Sequence, residues 1–276
     1  MTRVPFVKME GAGNDYVFVD GIQNVLPLDR APGLARRWSD RHHGIGGDGL
    51  IVVVRGESAP VRMLMWNADG SRGAMCGNGL RCVARLAHAH GHVAARRFDV
   101  ETDAGPRAVE LMDGSDDVRT WMGVVRCAAA ITLSLAQREV TIVPGDAGNP
   151  HAVVFVDDVE RAAVLEIGAA LQRHPHFADG VNVEFVQVMA PDRLRQRTFE
   201  RGSGETLACG TGAAVAVVAA RAAGHVRGDR TTVDLRGGTL QVIGTGSSLA
   251  IEGPARTVYV GEVELSESFG PGDQHR

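Results

Sequence analysis

The chain has 276 residues with 29 basic and 33 acidic side chains, a formal net charge of −4 and a sequence isoelectric point near 6.2. This balance leaves no basic footprint for nucleic acid. No apolar run reaches membrane-spanning length and no apolar leader precedes a small-residue cleavage site, so a soluble, cytoplasmic protein is expected. Lys8 is the only lysine, which excludes a Walker-type phosphate loop and leaves one candidate for a pyridoxal phosphate Schiff base; chemistry on an amino acid is expected to need no cofactor.

In chain order, the run Ala12-Gly13-Asn14 leads into a strand at 17–19. Gly44-Ile45-Gly46-Gly47-Asp48-Gly49 matches a dinucleotide fingerprint in form only, because it precedes a strand (50–54) instead of following one and opening a helix. It reads as a tight loop with Asp48 bonding backbone. Further β-branched or aromatic runs at 61–66, 140–143, 153–156 and 183–188 read as strands between turn signals. Two apolar segments read as helices. Residues 212–223 are apolar almost all round, the mark of a helix buried on every side, and 80–90 are more mixed.

Each helical segment follows the same kind of motif, Met75-Cys76-Gly77-Asn78-Gly79 or Ala208-Cys209-Gly210-Thr211-Gly212, and a glycine (Gly91, Gly224) comes 15 residues after each cysteine. The 133-residue offset between the cysteines also relates Val100 to Val233 and Gly105 to Gly238, while Ala147-Gly148-Asn149 echoes Ala12-Gly13-Asn14. The simplest account is one unit present twice. The expected class is α+β, two similar β-rich domains, each a sheet wrapped around a central helix. The domain change is placed between 123 and 132, giving domains 1–125 and 126–259.

A cysteine at a helix start sits at the positive end of the helix dipole, which lowers its pKa and favours thiolate. The glycines beside it free backbone N–H groups that bind anions. Two such starts converging on one substrate would hold a carboxylate while one thiol removes the neighbouring α-proton and the other redelivers one. Cys82 and Cys127 read as ordinary buried thiols. With no C-x-x-C spacing and no histidine pair beside the cysteines, no metal is expected.

The motifs Lys8 to Asp15, Gly44 to Gly49, Asn67-Ala68-Asp69-Gly70-Ser71 leading to Cys76-Gly77-Asn78-Gly79, Gly148 to His151, Val181-Asn182-Val183 and Glu200 to Gly212 together resemble the diaminopimelate epimerase family over almost the full length. The resemblance implies a cofactor-independent epimerase interconverting LL- and meso-diaminopimelate, in the route to lysine and bacterial cell-wall peptides. Cys76 and Cys209 match the acid/base pair. Gly77, Asn78, Gly210 and Thr211 match backbone groups on the reacting carboxylate, and Asn14, Asn67, Asn149, Asn182, Glu200 and Arg201 match substrate-contacting side chains. His151 and Glu200 match residues that tune the cysteines. The resemblance further implies an active site in the cleft between the two domains, a homodimer contacted by Tyr259 and a C-terminal strand, 260–276, that returns to the first domain. One departure is Gly49, where some members carry a substrate-side glutamine. Alone, Asn14 or Asn149 would read as turn residues and Glu200-Arg201 as a surface ion pair. The rival readings are a proline-type racemase, which would place a histidine at Asn78, a phenazine-pathway isomerase lacking the thiol pair, and a redox protein.

Overall fold

In the computed structural model, which describes residues 2–136, 138–246 and 248–265, the sequence offset becomes a structural one. The first half runs β1 (Thr2–Gly11), β2 (Asn14–Asp20), α1 (Ala31–Ser39), β3 (Gly49–Arg55), β4 (Val61–Asn67), β5 (Arg72–Gly73), α2 (Gly77–Ala89), β6 (Arg97–Glu101), β7 (Arg107–Leu111) and β8 (Asp117–Val124). After β9 (Arg126–Cys127) and β10 (Ile131–Leu135), the second half repeats the order as β11 (Arg138–Asp146), β12 (Pro150–Phe155), α3 (Val164–Gln172), β13 (Asn182–Ala190), β14 (Arg193–Glu200), β15 (Gly204–Thr206), α4 (Gly210–Ala222), β16 (Arg230–Leu235), β17 (Gly238–Ile243) and β18 (Ser248–Pro254). A final strand, β19 (Arg256–Leu265), closes the described chain.

Strand pairing repeats as well. β1–β2 is antiparallel, β2–β3 parallel, β3–β4 antiparallel and β4–β6 parallel. Their counterparts β11–β12, β12–β13, β13–β14 and β14–β16 have the same directions. The halves are stitched by the antiparallel β8–β18 pair, and each half then sends its last segment across to the other. β9 and β10 pair with β11, and β19 pairs with β1. Residues 266–276 of the expected C-terminal strand lie outside the described residues.

Alternation in the strands explains the layering, because successive side chains point to opposite faces. In the first half Phe18, Ile51 and Met63 turn inward onto Leu80, Val83 and Ala87 of α2. Val17, Val19, Leu50 and Val52 turn outward, where Leu34, Ala35 and Trp38 of α1 cover them. The second half does the same, with Val153, Leu194 and Val233 around α4 and with Val183 and Phe185 under Ile167 and Leu171 of α3. Strands buried on both faces need no polar alternation, hence the continuous apolar runs in the sequence. The α+β class with two similar halves holds, but one helix per half was an incomplete expectation, since α1 and α3 cover each outer face. No helix among the described residues is long and apolar enough to cross a membrane.

Candidate active site

The two Cys-Gly motifs are the helix starts themselves. Cys76 is the N-cap of α2 (φ −127°, ψ 121°) and Cys209 the N-cap of α4 (φ −125°, ψ 110°). Each sulfur accepts the backbone N–H three residues on, Gly79 N at 3.5 Å and Gly212 N at 3.4 Å. The thiols thus do the work of a Ser or Asp cap, and α2, from Gly77, and α4, from Gly210, begin before the apolar runs at 80 and 212. The helices meet start to start, with Asn78 Nδ2 donating to Ala208 O across the halves at 3.4 Å. A Cβ at Gly77 would meet nothing within 4 Å, so this backbone faces open space. Gly79 and Gly212 are packing glycines: a Cβ there would lie 2.6 Å from Ile51 Cδ1 or 2.4 Å from Glu184 Oε1. The N–H groups of a helix's first turn lack carbonyl partners within the helix, and such a turn suits an anion.

Electrostatics overturns one expectation. Burial pushes the Cys76 thiol above its ordinary value, outweighing the Tyr16 hydroxyl and the N–H groups of Gly79 and Asn78 that favour thiolate. Cys209 is pushed well above it by burial and by the charges of Glu200 and Glu184, against Thr211 and Gly212 N. Thr211 Oγ1 lies 3.3 Å from Cys209 Sγ. The helix start favours thiolate but loses to desolvation and to Glu200 at both sulfurs, joined by Glu184 at Cys209. Glu200 is itself raised by burial, while Thr206 Oγ1 donates to its Oε1 at 2.5 Å. Cys82 and Cys127 are pushed up by burial to about 12 and about 11, as suits inert thiols.

Behind the α2 start runs a polar chain, buried at Arg81 and Asn78 and reaching the surface at Arg41. Arg81, 0% exposed, donates through Nη2 to Asn78 Oδ1 (2.7 Å) and through Nε to Pro254 O (3.1 Å). Asn78 Nδ2 donates to Asn14 Oδ1 at 2.5 Å, and Asn14 Nδ2 to Asp48 Oδ2 at 3.3 Å. Asp48 also takes Asp15 N (3.1 Å) and Arg41 Nη2 (2.9 Å), the backbone-bonding role its loop suggested. Lys8 is buried, paired with Asp15 at 2.6 Å and donating to Gly46 O.

Around Cys209, His151 is fully buried, its Nδ1 2.8 Å from Glu184 Oε1 and its Nε2 3.0 Å from Asn149 Oδ1. Asn182 lies opposite His151 in the β12–β13 ladder and accepts Arg201 N at 2.8 Å. Arg201 itself is exposed, with Nη1 on Asp179 O at 3.2 Å. Asn67, at the end of β4, donates to Ser71 Oγ at 3.0 Å. Gly49 pairs with Asn67 across the ladder, and a Cβ on Gly49 would fall 2.2 Å from Trp66 O. The strands approach too closely there for a glutamine, which accounts for the glycine. Tyr259 stands apart from the thiols on β19, its hydroxyl donating to Ile45 O at 3.2 Å.

Three buried residues escaped the sequence reading. Tyr16 is two residues from Asn14 on one strand, hence on the same face. Arg81 is one helical turn from Asn78, and Glu184 is a lone carboxylate in an apolar strand, two residues from Asn182.

The family model described as diaminopimelate epimerase matches residues 6–128 and 145–265. A diaminopimelate epimerase of Geobacillus kaustophilus is 42% identical over 280 residues, covering 95% of this chain and 97% of that protein. Another, from Leptospira biflexa, is 39% identical over 282 residues, covering 95% and 100%. Among solved structures, a Bacillus anthracis phenazine biosynthesis protein of the PhzF family superposes with a TM-score of 0.74 at 16% identity, covering 96% of this chain and 100% of that one. A probable proline racemase from Agrobacterium radiobacter gives 0.71 at 19% identity, covering 97% and 94%. At such identities these two share the fold alone.

Proposed function

The chain belongs to the diaminopimelate epimerase family, and on that premise we propose that it interconverts LL- and meso-2,6-diaminopimelate with Cys76 and Cys209 as its acid and base and with no cofactor. The supporting observation is the meeting of two cysteine-capped helix starts, each presenting backbone N–H groups in its first turn. The reacting carboxylate rests on the N–H groups of Gly77, Asn78, Gly210 and Thr211. Aligned donors of this kind are each worth about 3–4 kcal/mol where charge develops.

One thiolate takes the α-hydrogen, leaving a carbanion whose charge spreads into that carboxylate. The opposite thiol then gives its proton to the other face of the carbon and becomes the thiolate. Atoms balance over the cycle, and the reverse reaction exchanges the roles. Burial and the charge of Glu200 oppose thiolate at both sulfurs, with Glu184 adding to them at Cys209. The α-ammonium of an arriving substrate favours thiolate at either sulfur.

The distal head needs a cation and an anion. Arg201 forks onto its carboxylate and Glu200 faces its ammonium, while Asn14, Asn67, Asn149 and Asn182 supply neutral donors and acceptors. His151 and Glu200 tune the thiols, and Arg81 positions Asn78 from behind. The product serves lysine and peptidoglycan precursor synthesis. A homodimer is assigned to the β19 face, where Val258, Tyr259 and Val260 are exposed (Tyr259 43%).

The test is proton exchange. Purified, reduced protein in D2O should place deuterium at the α-carbon of LL-diaminopimelate as the meso form appears. Exchange with proline or histidine instead would transfer the assignment to the other two-thiol racemases.

A further inference from the structure

At the far end of α2 from Cys76, three side chains with no part in the proton transfer converge on one point. Asp20 ends β2, and its Oδ2 lies 2.7 Å from His90 Nδ1 and 2.7 Å from His92 Nε2. The three ligand-capable atoms fall within 4.8 Å of one another. The Asp20 and His92 side chains are 4% and 11% exposed, and that of His90 31%, so the cluster is deep on one side and open to solvent on the other. Oδ1 of Asp20 accepts the backbone N–H groups of Ile22 and Gln23, which fixes the carboxylate.

The duplicated half provides an internal control. α4 ends as α2 does: His90 N bonds Leu86 O and His92 N bonds Ala87 O, while Ala223 N bonds Ala219 O and His225 N bonds Ala220 O. Gly91 and Gly224 take the same left-handed turn, at φ 74° and 75°. In that half Ala223 stands for His90, and Phe155 stands for Asp20 with its ring 5.1 Å from His225. Ending the helix therefore requires neither the second histidine nor the carboxylate. The cluster is an addition made in one half only.

We propose that Asp20, His90 and His92 form a binding site for a first-row divalent transition-metal ion, Zn2+ in particular, with water completing its coordination. Two imidazoles and a carboxylate suit Zn2+, Co2+ or Ni2+, whereas Mg2+ and Ca2+ prefer oxygen-only sites. Zn2+ holds such donors at about 2.0–2.2 Å, so its ligand atoms stand roughly 3.3 Å apart. Opening the two 2.7 Å contacts to that spacing needs each imidazole to draw back from Oδ2 by roughly 0.6 Å. The ring N–H groups now aimed at Asp20 shift to the other ring nitrogens, leaving bare nitrogens for the metal. The sequence shows no metal ligands beside its cysteines; these three residues come together only through the fold. With 13 residues in α2 the site is about 20 Å from Cys76. Its effect is to clamp β2 to α2, strengthening the first half without touching the chemistry.

The test uses untagged full-length protein carrying Cys76→Ser and Cys209→Ser, so that the active-site thiols do not compete. Titration with Co2+, read by visible absorption, and with Zn2+ against a chelating dye should show one equivalent bound, with a rise in Tm that Mg2+ does not produce. His90→Ala and His92→Ala should each weaken binding at least tenfold and remove the rise. Asp20→Asn, which keeps an acceptor for Ile22 and Gln23, should do the same. If a variant lowers the metal-free Tm, the exposed His90→Ala decides. No binding, or affinity unchanged in the His90→Ala protein, overturns the site.

Discussion

The ends of α2 and α4 that meet at the candidate site share a backbone but not its surroundings. Length, cap angles and the sulfur-to-N–H contact are nearly the same for the two helices. Yet by the offset that relates Asn14 to Asn149, Tyr16 corresponds to His151, and by the offset between the cysteines Ile51 corresponds to Glu184 and Gly49 to Asn182. By the 133-residue offset, Asn67 corresponds to Glu200. The backbone thus provides two equivalent thiols and two sets of anion donors, as inversion at one carbon requires. Side chains then break the equivalence. Glu200 opposes thiolate at both sulfurs, but the Tyr16 hydroxyl favours it at Cys76 while Glu184 opposes it further at Cys209.

The largest expected effect removes the shared part. Cys76→Ala and Cys209→Ala should each cut epimerisation by about 10³-fold or more, in the upper range for a positioned acid or base, with circular dichroism unchanged. Chromatographic resolution of the LL and meso forms measures it, and near-normal turnover in either variant would refute a thiol pair. Next comes the division itself. Arg201→Met should lower kcat/KM by roughly 10- to 150-fold, the 1.5–3 kcal/mol of a hydrogen bond to a charged group. Unchanged kcat/KM would remove Arg201 from the distal head.

Smaller effects separate the thiols by pH. A carboxylate opposes thiolate formation, so Glu200→Gln should move iodoacetamide alkylation of both cysteines to lower pH, most for Cys209. Tyr16→Phe removes a donor to Cys76 and should move alkylation of that cysteine alone to higher pH. Mass spectrometry of the alkylated peptides distinguishes the two, and equal shifts in the Tyr16 variant would dissolve the asymmetry.

Much of this was legible in the sequence because duplication writes one signal twice. The Cys-Gly motifs gave both helix starts, and their common spacing to Gly91 and Gly224 gave both helix ends. α1 and α3 were missed for local reasons. The first opens Ala-Pro-Gly, where proline at a first turn was an unused start signal. The second carries Gly168 mid-helix, which reads as a breaker, although a Cβ there would lie 2.4 Å from Phe199 Cγ and the glycine is demanded by packing. Tyr16, Arg81 and Glu184 were hidden because their partners are remote in sequence: Arg81 reaches Pro254, and Glu184 meets His151. The sign of the thiol shifts was illegible for a related reason. A helix start is local, whereas burial and the charges of Glu184 and Glu200 exist only once both halves are assembled.

The central claim is that the two thiols stand on opposite faces of one carbon. It is tested most directly by incubating Cys76→Ala and Cys209→Ala separately in D2O with each isomer of diaminopimelate and locating the label. A lone remaining thiol can remove and return a proton only on its own face, so neither variant should epimerise. Any label should enter one isomer in the first variant and the other isomer in the second. Label entering the same isomer in both variants, or appearing together with inversion in either, would contradict the account.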